Sequence, residues 1–197
     1  SGKGNTGTAY SGTATTTSVL STSTAMVGRA MSFDGVNDYV DAGSGASLQI
    51  GGVGKSFTVS AWMNAPIVTY NDAMSQGIGS LYRSFALGVR GTRFWFAFYG
   101  SDLASGYNLH FANVWEYVVG TYDGSNRARK IYKNGVLIAS DTATGDYVGT
   151  GNFNIGTGGA LGTGYCNGLI DEVKIWNYAR SAEQIGQDYE RGVRGLP

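Results

Sequence analysis

The 197-residue chain carries 32 glycines but only 2 prolines, shows no Gly-X-Y period, and is 42% hydrophobic, which excludes collagen and a low-complexity coil and leaves material for one folded core. Fourteen basic residues balance fourteen acidic ones, so the basic excess of a phosphate-backbone binder is missing and no nucleic acid partner is expected. The lone cysteine, Cys166, rules out an intrachain disulfide framework, and no run approaches the roughly 18 apolar residues of a membrane helix.

In chain order, residues 12–24 are rich in Ser and Thr and read as a strand or loop of low specificity. Residues 56–64 (SFTVSAWMN) alternate, setting Phe57, Val59, Ala61 and Met63 on one face. Residues 85–89 and 93–99 (RFWFAFY) form two further runs around Arg90-Gly91-Thr92, a hairpin pattern. Residues 115–122 (WEYVVGTY) end at the turn dipeptide Asp123-Gly124. Residues 130–140 hold Asn134-Gly135 between two alternating halves, which predicts a type I′ hairpin. Residues 153–156 and 168–176 supply two more strands. Near the end, Ser181 and Gln184 fit a capping box, and Ile185 and Tyr189 give the short helix they open one apolar edge. Seven or more short strands with frequent turns and one C-terminal helix predict an all-β, two-sheet antiparallel sandwich. No linker or charge run divides residues 1–197, so a single domain is expected.

Six phrases stand in register: 30–40 (AMSFDGVNDYV), 56–63 (SFTVSAWM), 115–124 (WEYVVGTYDG), 131–138 (IYKNGVLI), 168–176 (GLIDEVKIW) and 177–185 (NYARSAEQI). Together with residues 2–9 (GKGNTGTA), they resemble the laminin-G-like, concanavalin A-like jelly-roll domains of bacterial secreted and surface proteins. The resemblance implies two packed antiparallel sheets, one bent into a concave surface. It also implies a secreted or cell-surface setting as part of a longer protein, glycan or protein partners, and one structural calcium ion. Members often carry His after the tryptophan of the third phrase, where this chain has Glu116 and Tyr117. Residues 70–81 and 101–113 follow no family pattern, so the resemblance is silent on the ligand.

Asp171 is the most informative acid. A period of two puts it beside Leu169, Val173 and Ile175 on an apolar face, where a carboxylate needs a cation or several hydrogen-bond donors. The resemblance suggests calcium, with Asp34 and Asn37 adding oxygens; the alternative is that Asp34 shapes a turn and Asp171 caps backbone amides.

In residues 93–99, Phe94, Phe96 and Phe98 share the core face, which leaves Arg93, Trp95 and Tyr99 outside. An aromatic plate beside a planar guanidinium suits a sugar's C–H patches and hydroxyls. Tyr82, Tyr107 and His110 complete the candidate ligand set, and Tyr70 and Tyr165 are further loop aromatics that add to such a platform. Trp62, Trp115 and Trp176 match framework positions and are expected to pack in the interior. His110 is expected on an exposed loop without a catalytic partner.

No E-x-D-x-E spacing offers the paired carboxylates of a retaining glycosidase. The expected function is therefore a non-catalytic carbohydrate-binding module. A structural or protein-adhesion spacer is the alternative, with a jelly-roll hydrolase or lyase behind both.

Overall fold

Alternating apolar side chains build both sheets. Strand β6 (Phe57–Asn64) buries Phe57, Val59, Ala61 and Met63 in the central core. Its other face, with Thr58, Ser60 and Trp62, is equally closed to solvent, so this strand is covered on both sides. The computed structural model describes residues 6–11, 14–15, 21–22, 25–158 and 164–197. Parts of the 2–9 phrase, of the 12–24 stretch and of the loop before residue 164 lie outside the described residues.

Fifteen strands among the described residues form two sheets in which every pairing is antiparallel. The eight-stranded sheet runs in the order β10 (Ser101–Ala104), β9 (Arg93–Phe98), β8 (Ser84–Arg90), β7 (Asn71–Gly77), β14 (Phe153–Ile155), β5 (Asp38–Asp41), β1 (Thr8–Ser11), β2 (Ala14–Thr15). The seven-stranded sheet runs β13 (Val136–Thr142), β12 (Ala128–Lys133), β11 (Trp115–Asp123), β6, β15 (Asn167–Trp176), β4 (Ala30–Asp34), β3 (Ser21–Thr22). The expected antiparallel sandwich is thus present, and the fold class is a concanavalin A-like jelly roll.

Between the sheets sits an aromatic cluster. Phe57 contacts Phe85, Phe96, Phe98, Tyr122 and Tyr147 at centroid separations of 5.6–6.2 Å. Each fully buried ring is worth about 1.5–3 kcal/mol in transfer alone, so this cluster is a main source of stability. The Asn134-Gly135 turn takes positive φ at both residues, 49° and 81°, as a type I′ hairpin requires.

Helix α1 (Ala182–Val193) opens with the expected reciprocal capping box between Ser181 and Gln184. It packs on the outer face of the seven-stranded sheet, where Ile185 joins Trp62, Tyr117, Val119 and Tyr132 in a second buried cluster. Tyr189 stacks on Trp62 at 5.5 Å, and Arg180 ties the helix down through Asp188 at 2.8 Å. Trp62 and Trp115 therefore pack as expected. Trp176 instead lies beneath the Arg180 guanidinium, 4.4 Å from its ring centroid.

The reading of Asp171 needs correction. A bulge between Asp171 and Lys174, with Glu172 at φ 49°, breaks the period of two. Ile170, Val173 and Ile175 pack on the central core, whereas Asp171 lies opposite Trp62 on the other face. Its carboxylate accepts the amides of Met26 (3.0 Å), Val27 (2.8 Å) and Glu172 (2.8 Å).

Asp34 Oδ1 likewise accepts the amides of Val36, Asn37 and Asp38 within its own turn, and Asn37 Oδ1 accepts from Ser11 Oγ. Asp34 is opposite Asn167 in register, and Asp171 lies four residues further along β15, about 13 Å away at 3.3 Å per residue. The three residues expected to share a calcium ion do not converge and do not fit a single ion site. Both carboxylates act as caps for backbone amides.

Asp171→Ala leaves buried amides without an acceptor and is expected to cost about 2–3 kcal/mol. Urea unfolding in EDTA and in millimolar calcium should give the same loss; a loss confined to the calcium-loaded protein would reinstate a metal at this residue.

Candidate functional site

With α1 on the seven-stranded sheet, no α-helix among the described residues covers the outer face of the eight-stranded one, although the small alternates at its centre are buried. Phe85, Leu87 and Val89 on β8 and Phe94, Phe96 and Phe98 on β9 point into the core, so their alternates face outward. The register sets Ser75, Ala86, Ala97 and Asp102 in one outward row and Asp72, Gly88, Trp95 and Ala104 in the next. Arg90 and Arg93 close the β8–β9 hairpin directly opposite each other.

Five of these outward or loop side chains form one alternating stack. The Arg90 guanidinium lies 5.1 Å from the Tyr70 ring centroid and 4.5 Å from that of Trp95. The Arg93 guanidinium lies 5.6 Å from Trp95 and 4.5 Å from Tyr107. The order along the surface is therefore Tyr70, Arg90, Trp95, Arg93, Tyr107, with three π-faces gripping two cations. Tyr70 and Tyr107 are exposed. Tyr70 also forms one wall of a hollow of about 350 Å³ shared with Gly35, Val68, Thr69, Gly164, Tyr165 and Asn167. On its far side Tyr165 tilts against Tyr39 at 6.4 Å, and Tyr39 stacks on Tyr10 at 4.9 Å. Buried polar atoms without a partner gather on this face too: Ser75 Oγ, Ser84 Oγ, Trp95 Nε1, Arg90 Nε and both oxygens of Asp72.

The loop carrying Tyr107 is held to the hairpin from both ends. Thr92 O accepts the amides of Leu109 and His110, Thr92 Oγ1 accepts that of Asn108 at 3.1 Å, and Arg93 Nε donates to Ser105 O at 2.8 Å. Beneath the loop His110 Nδ1 meets Glu116 Oε2, while Glu116 Oε1 accepts from Lys133 Nζ at 2.8 Å and from the Phe111 amide at 3.2 Å. Lys133 also donates to Leu109 O.

Of the expected ligand set, the fold brings together Arg93, Trp95 and Tyr107. Tyr99 shares their face but sits four residues along the strand from Trp95, about 13 Å away. Tyr82 belongs to the opposite end of β8, where its hydroxyl bonds Thr144 Oγ1 at 2.8 Å. His110 is 2% exposed and locked to Glu116, so the exposed loop histidine is corrected to a buried strut. Arg90, which the sequence reading left as a turn residue, was legible in the alternation: if Val89 points in and Arg93 points out, the residue paired with Arg93 points out as well.

The acids on this face are not arranged for glycoside hydrolysis. Asp72 on β7 and Asp102 on β10 lie three strands apart, about 14 Å at 4.8 Å per strand, outside the roughly 5–9.5 Å range of catalytic carboxyl pairs. The remaining close acid–base pair, His110 with Glu116, is sealed from solvent.

Asp72 is unusual in another way. Its carboxyl is 1% exposed, and neither oxygen has a hydrogen-bond partner. It lies between two glycines: a Cβ on Gly88 would sit 2.9 Å from Oδ1, and one on Gly164, where φ is +84°, would sit 2.3 Å from Oδ2. Burial pushes its pKa up to about 7, with the Arg90 charge opposing the rise.

The folded state therefore holds this proton more tightly than the unfolded chain, whose Asp titrates near 4. Its stability falls as pH rises from about 4 to about 7, by about 4 kcal/mol for a shift of about three units. Asp72→Asn removes the titration, so its melting temperature should exceed that of the wild type at pH 8 and the gap should close towards pH 5. A gap independent of pH would refute this account of Asp72.

Comparison with known proteins agrees with the fold. The family described as the concanavalin A-like lectin/glucanases superfamily (Laminin_G_3) matches residues 34–186. No curated protein matches the chain in sequence.

Solved structures share the fold. Domain 4 of the extracellular GH43 arabinanase AbnA from Geobacillus stearothermophilus, solved with arabinotriose, superposes with a TM-score of 0.67 at 20% identity over 92% of this chain and 86% of that one. The CBM40 of the Ruminococcus gnavus IT-sialidase, bound to α2,3 sialyllactose, gives 0.62 at 16% identity over 81% and 95%. The botulinum neurotoxin serotype G binding domain gives 0.61 at 13% identity over 95% of this chain and 47% of that one. On the family match, which spans most of its length, the chain belongs to the concanavalin A-like lectin/glucanases superfamily.

Proposed function

We propose that the chain is a non-catalytic carbohydrate-binding module of an extracellular or cell-surface protein. Its binding surface is the Tyr70–Arg90–Trp95–Arg93–Tyr107 stack together with the adjoining hollow. The stack carries the proposal: a half-buried tryptophan with two guanidiniums 4.5 and 5.6 Å from its ring centroid, on the sheet face that no α-helix among the described residues covers.

The exposed rings of Tyr70 and Tyr107 at the ends of the stack suit the C–H face of a sugar ring, and the guanidinium edges suit its hydroxyls. The hollow is near the lower end of ligand-pocket volumes, roughly 300–1,000 Å³, in keeping with one or two sugar units rather than an engulfed chain. Two fold neighbours solved with sugars, the arabinanase domain and the sialidase CBM40, support the ligand class. The wide separation of Asp72 and Asp102 supports binding without bond cleavage. Calcium has no part in the proposal, because Asp34, Asn37 and Asp171 are spread along the fold as caps.

A glycan array followed by calorimetry tests it, with Trp95→Ala as the comparison. Loss of the plate should weaken binding by about ten- to a hundredfold, the effect of removing a 1.4–3 kcal/mol anchor, while the circular dichroism spectrum and melting temperature stay near wild type. Wild-type protein that binds no plant, algal or host glycan at millimolar concentration would overturn the proposal in favour of a spacer or protein-adhesion role. Release of reducing ends or unsaturated products would overturn its non-catalytic part.

A further inference from the structure

Four arginines of the described structure are at least partly buried: Arg90, Arg93, Arg129 and Arg180. Two of them have a carboxylate partner, Arg129 with Asp141 at 2.6 Å and Arg180 with Asp188 at 2.8 Å. Arg90 and Arg93 pair with no acid, although all fourteen acidic residues of the chain are among the described ones. They also stand directly opposite each other across the hairpin, an arrangement in which like charges repel.

The acid nearest in the sheet to relieve them, Asp72, leaves both oxygens unbonded beneath the Gly164 backbone instead of reaching Arg90, and burial holds its carboxyl towards the neutral form. The aromatic rings fix where the two guanidiniums lie but supply no counter-charge, and Arg90 Nε remains without an acceptor. The surface thus presents two preoriented planar cations, flanking one tryptophan, that make no direct ion pair; Asp72 and Asp102 act on Arg90 only from beyond contact distance.

We propose that the glycan recognised here is anionic, and that a carboxylate or sulfate group on it seats against Arg90 and Arg93 beside Trp95. This rests on the carbohydrate-binding reading and narrows it to uronate, sialate or sulfated sugars. A guanidinium offers two parallel N–H donors to such an oxyanion, whereas a neutral hydroxyl leaves the repulsion between the arginines unrelieved.

The test uses matched probes on the whole chain: oligogalacturonate against its methyl ester, sialyllactose against lactose, and chondroitin sulfate against desulfated chondroitin. At least one anionic member should bind tenfold or more tightly than its neutral or desulfated partner. Its affinity should fall as sodium chloride is raised from 50 to 500 mM. The uronate, sialate and sulfate pairs separate the sources of the charge.

Arg90→Gln and, independently, Arg93→Gln should each erase most of that preference, and Arg90→Lys should keep only part of it, because a point charge lacks the planar fork. Two such variants, each monitored by its melting temperature, guard against loss of fold in either one. Equal affinity for anionic and neutral partners through Trp95, unchanged by the Arg→Gln variants, would overturn the anionic proposal and leave the carbohydrate reading standing. Absence of binding to every probe, charged or neutral, would overturn both.

Discussion

The packing of α1 on the seven-stranded sheet governs what the rest of the molecule is free to do. A two-sheet sandwich has two outer faces, and an apolar face left in water is a liability. Here Trp62, Tyr117, Val119 and Tyr132 would form such a patch, and Ile185 and Tyr189 cover it. The alternates of the opposite outer face are short or polar, namely Ser75, Ser84, Ala86, Gly88 and Ala97, and they are buried without an α-helix of the described residues over them. The helix thus covers one face, and on the other the exposed groups are the rim aromatics Tyr70, Tyr99 and Tyr107 rather than the small residues at its centre.

Availability alone does not make a site, since loop aromatics on a flat sheet would sample many rotamers. The hairpin supplies the missing order. Thr92, at its tip, accepts three loop amides, so the segment bearing Tyr107 follows the β8–β9 turn. The buried Glu116 takes up His110, Lys133 and the Phe111 amide at once. A carboxylate at 1% exposure would be costly alone, but with this many donors it fixes geometry rather than opposing the fold. The strut places the loop, the loop places Tyr107, and Tyr107 closes the stack over Arg93.

Much of this was legible in the sequence, and the parts that were not share a cause. Strand alternation, the Asn134-Gly135 turn and the Ser181 capping box depend on residues within a few positions of one another, and each appears as read. Phe94, Phe96 and Phe98 turned inward, which put Arg93 and Trp95 outward as read. What failed depended on long-range partners or on broken periodicity. Glu172 in a left-handed conformation reverses the face on which Asp171 lies. His110 is paired with a residue only six positions away, yet the Lys133 that completes the same cluster through Glu116 comes from a neighbouring strand. Arg90 belongs to the site through Tyr70, and that contact exists only after β7 pairs with β8.

The glycines also divide along this line. At Gly91 and Gly135 they serve turns that any reading of the chain would mark, but Gly88 lets the β7 backbone approach and Gly164 leaves room for the Asp72 carboxyl, and no local pattern announces that. The other buried acids show how far Asp72 departs from the rule that buried carboxylates are satisfied. Asp171 accepts three amides, Glu116 takes three donors, and Asp38 accepts the Asp34 amide through Oδ2.

Asp72 accepts none, and burial pushes its pKa up, so ionising it opposes a stability that is commonly only about 5–15 kcal/mol. Such a penalty persists in natural proteins mainly where function holds it in place. Its position fits: one row from Arg90 on the outward face, close enough for their charges to interact, yet with neither oxygen bonded to the guanidinium. Arg90 is thereby kept oriented by rings and left without a carboxylate, which is the condition a cation must meet if its counter-charge is to come from outside the protein.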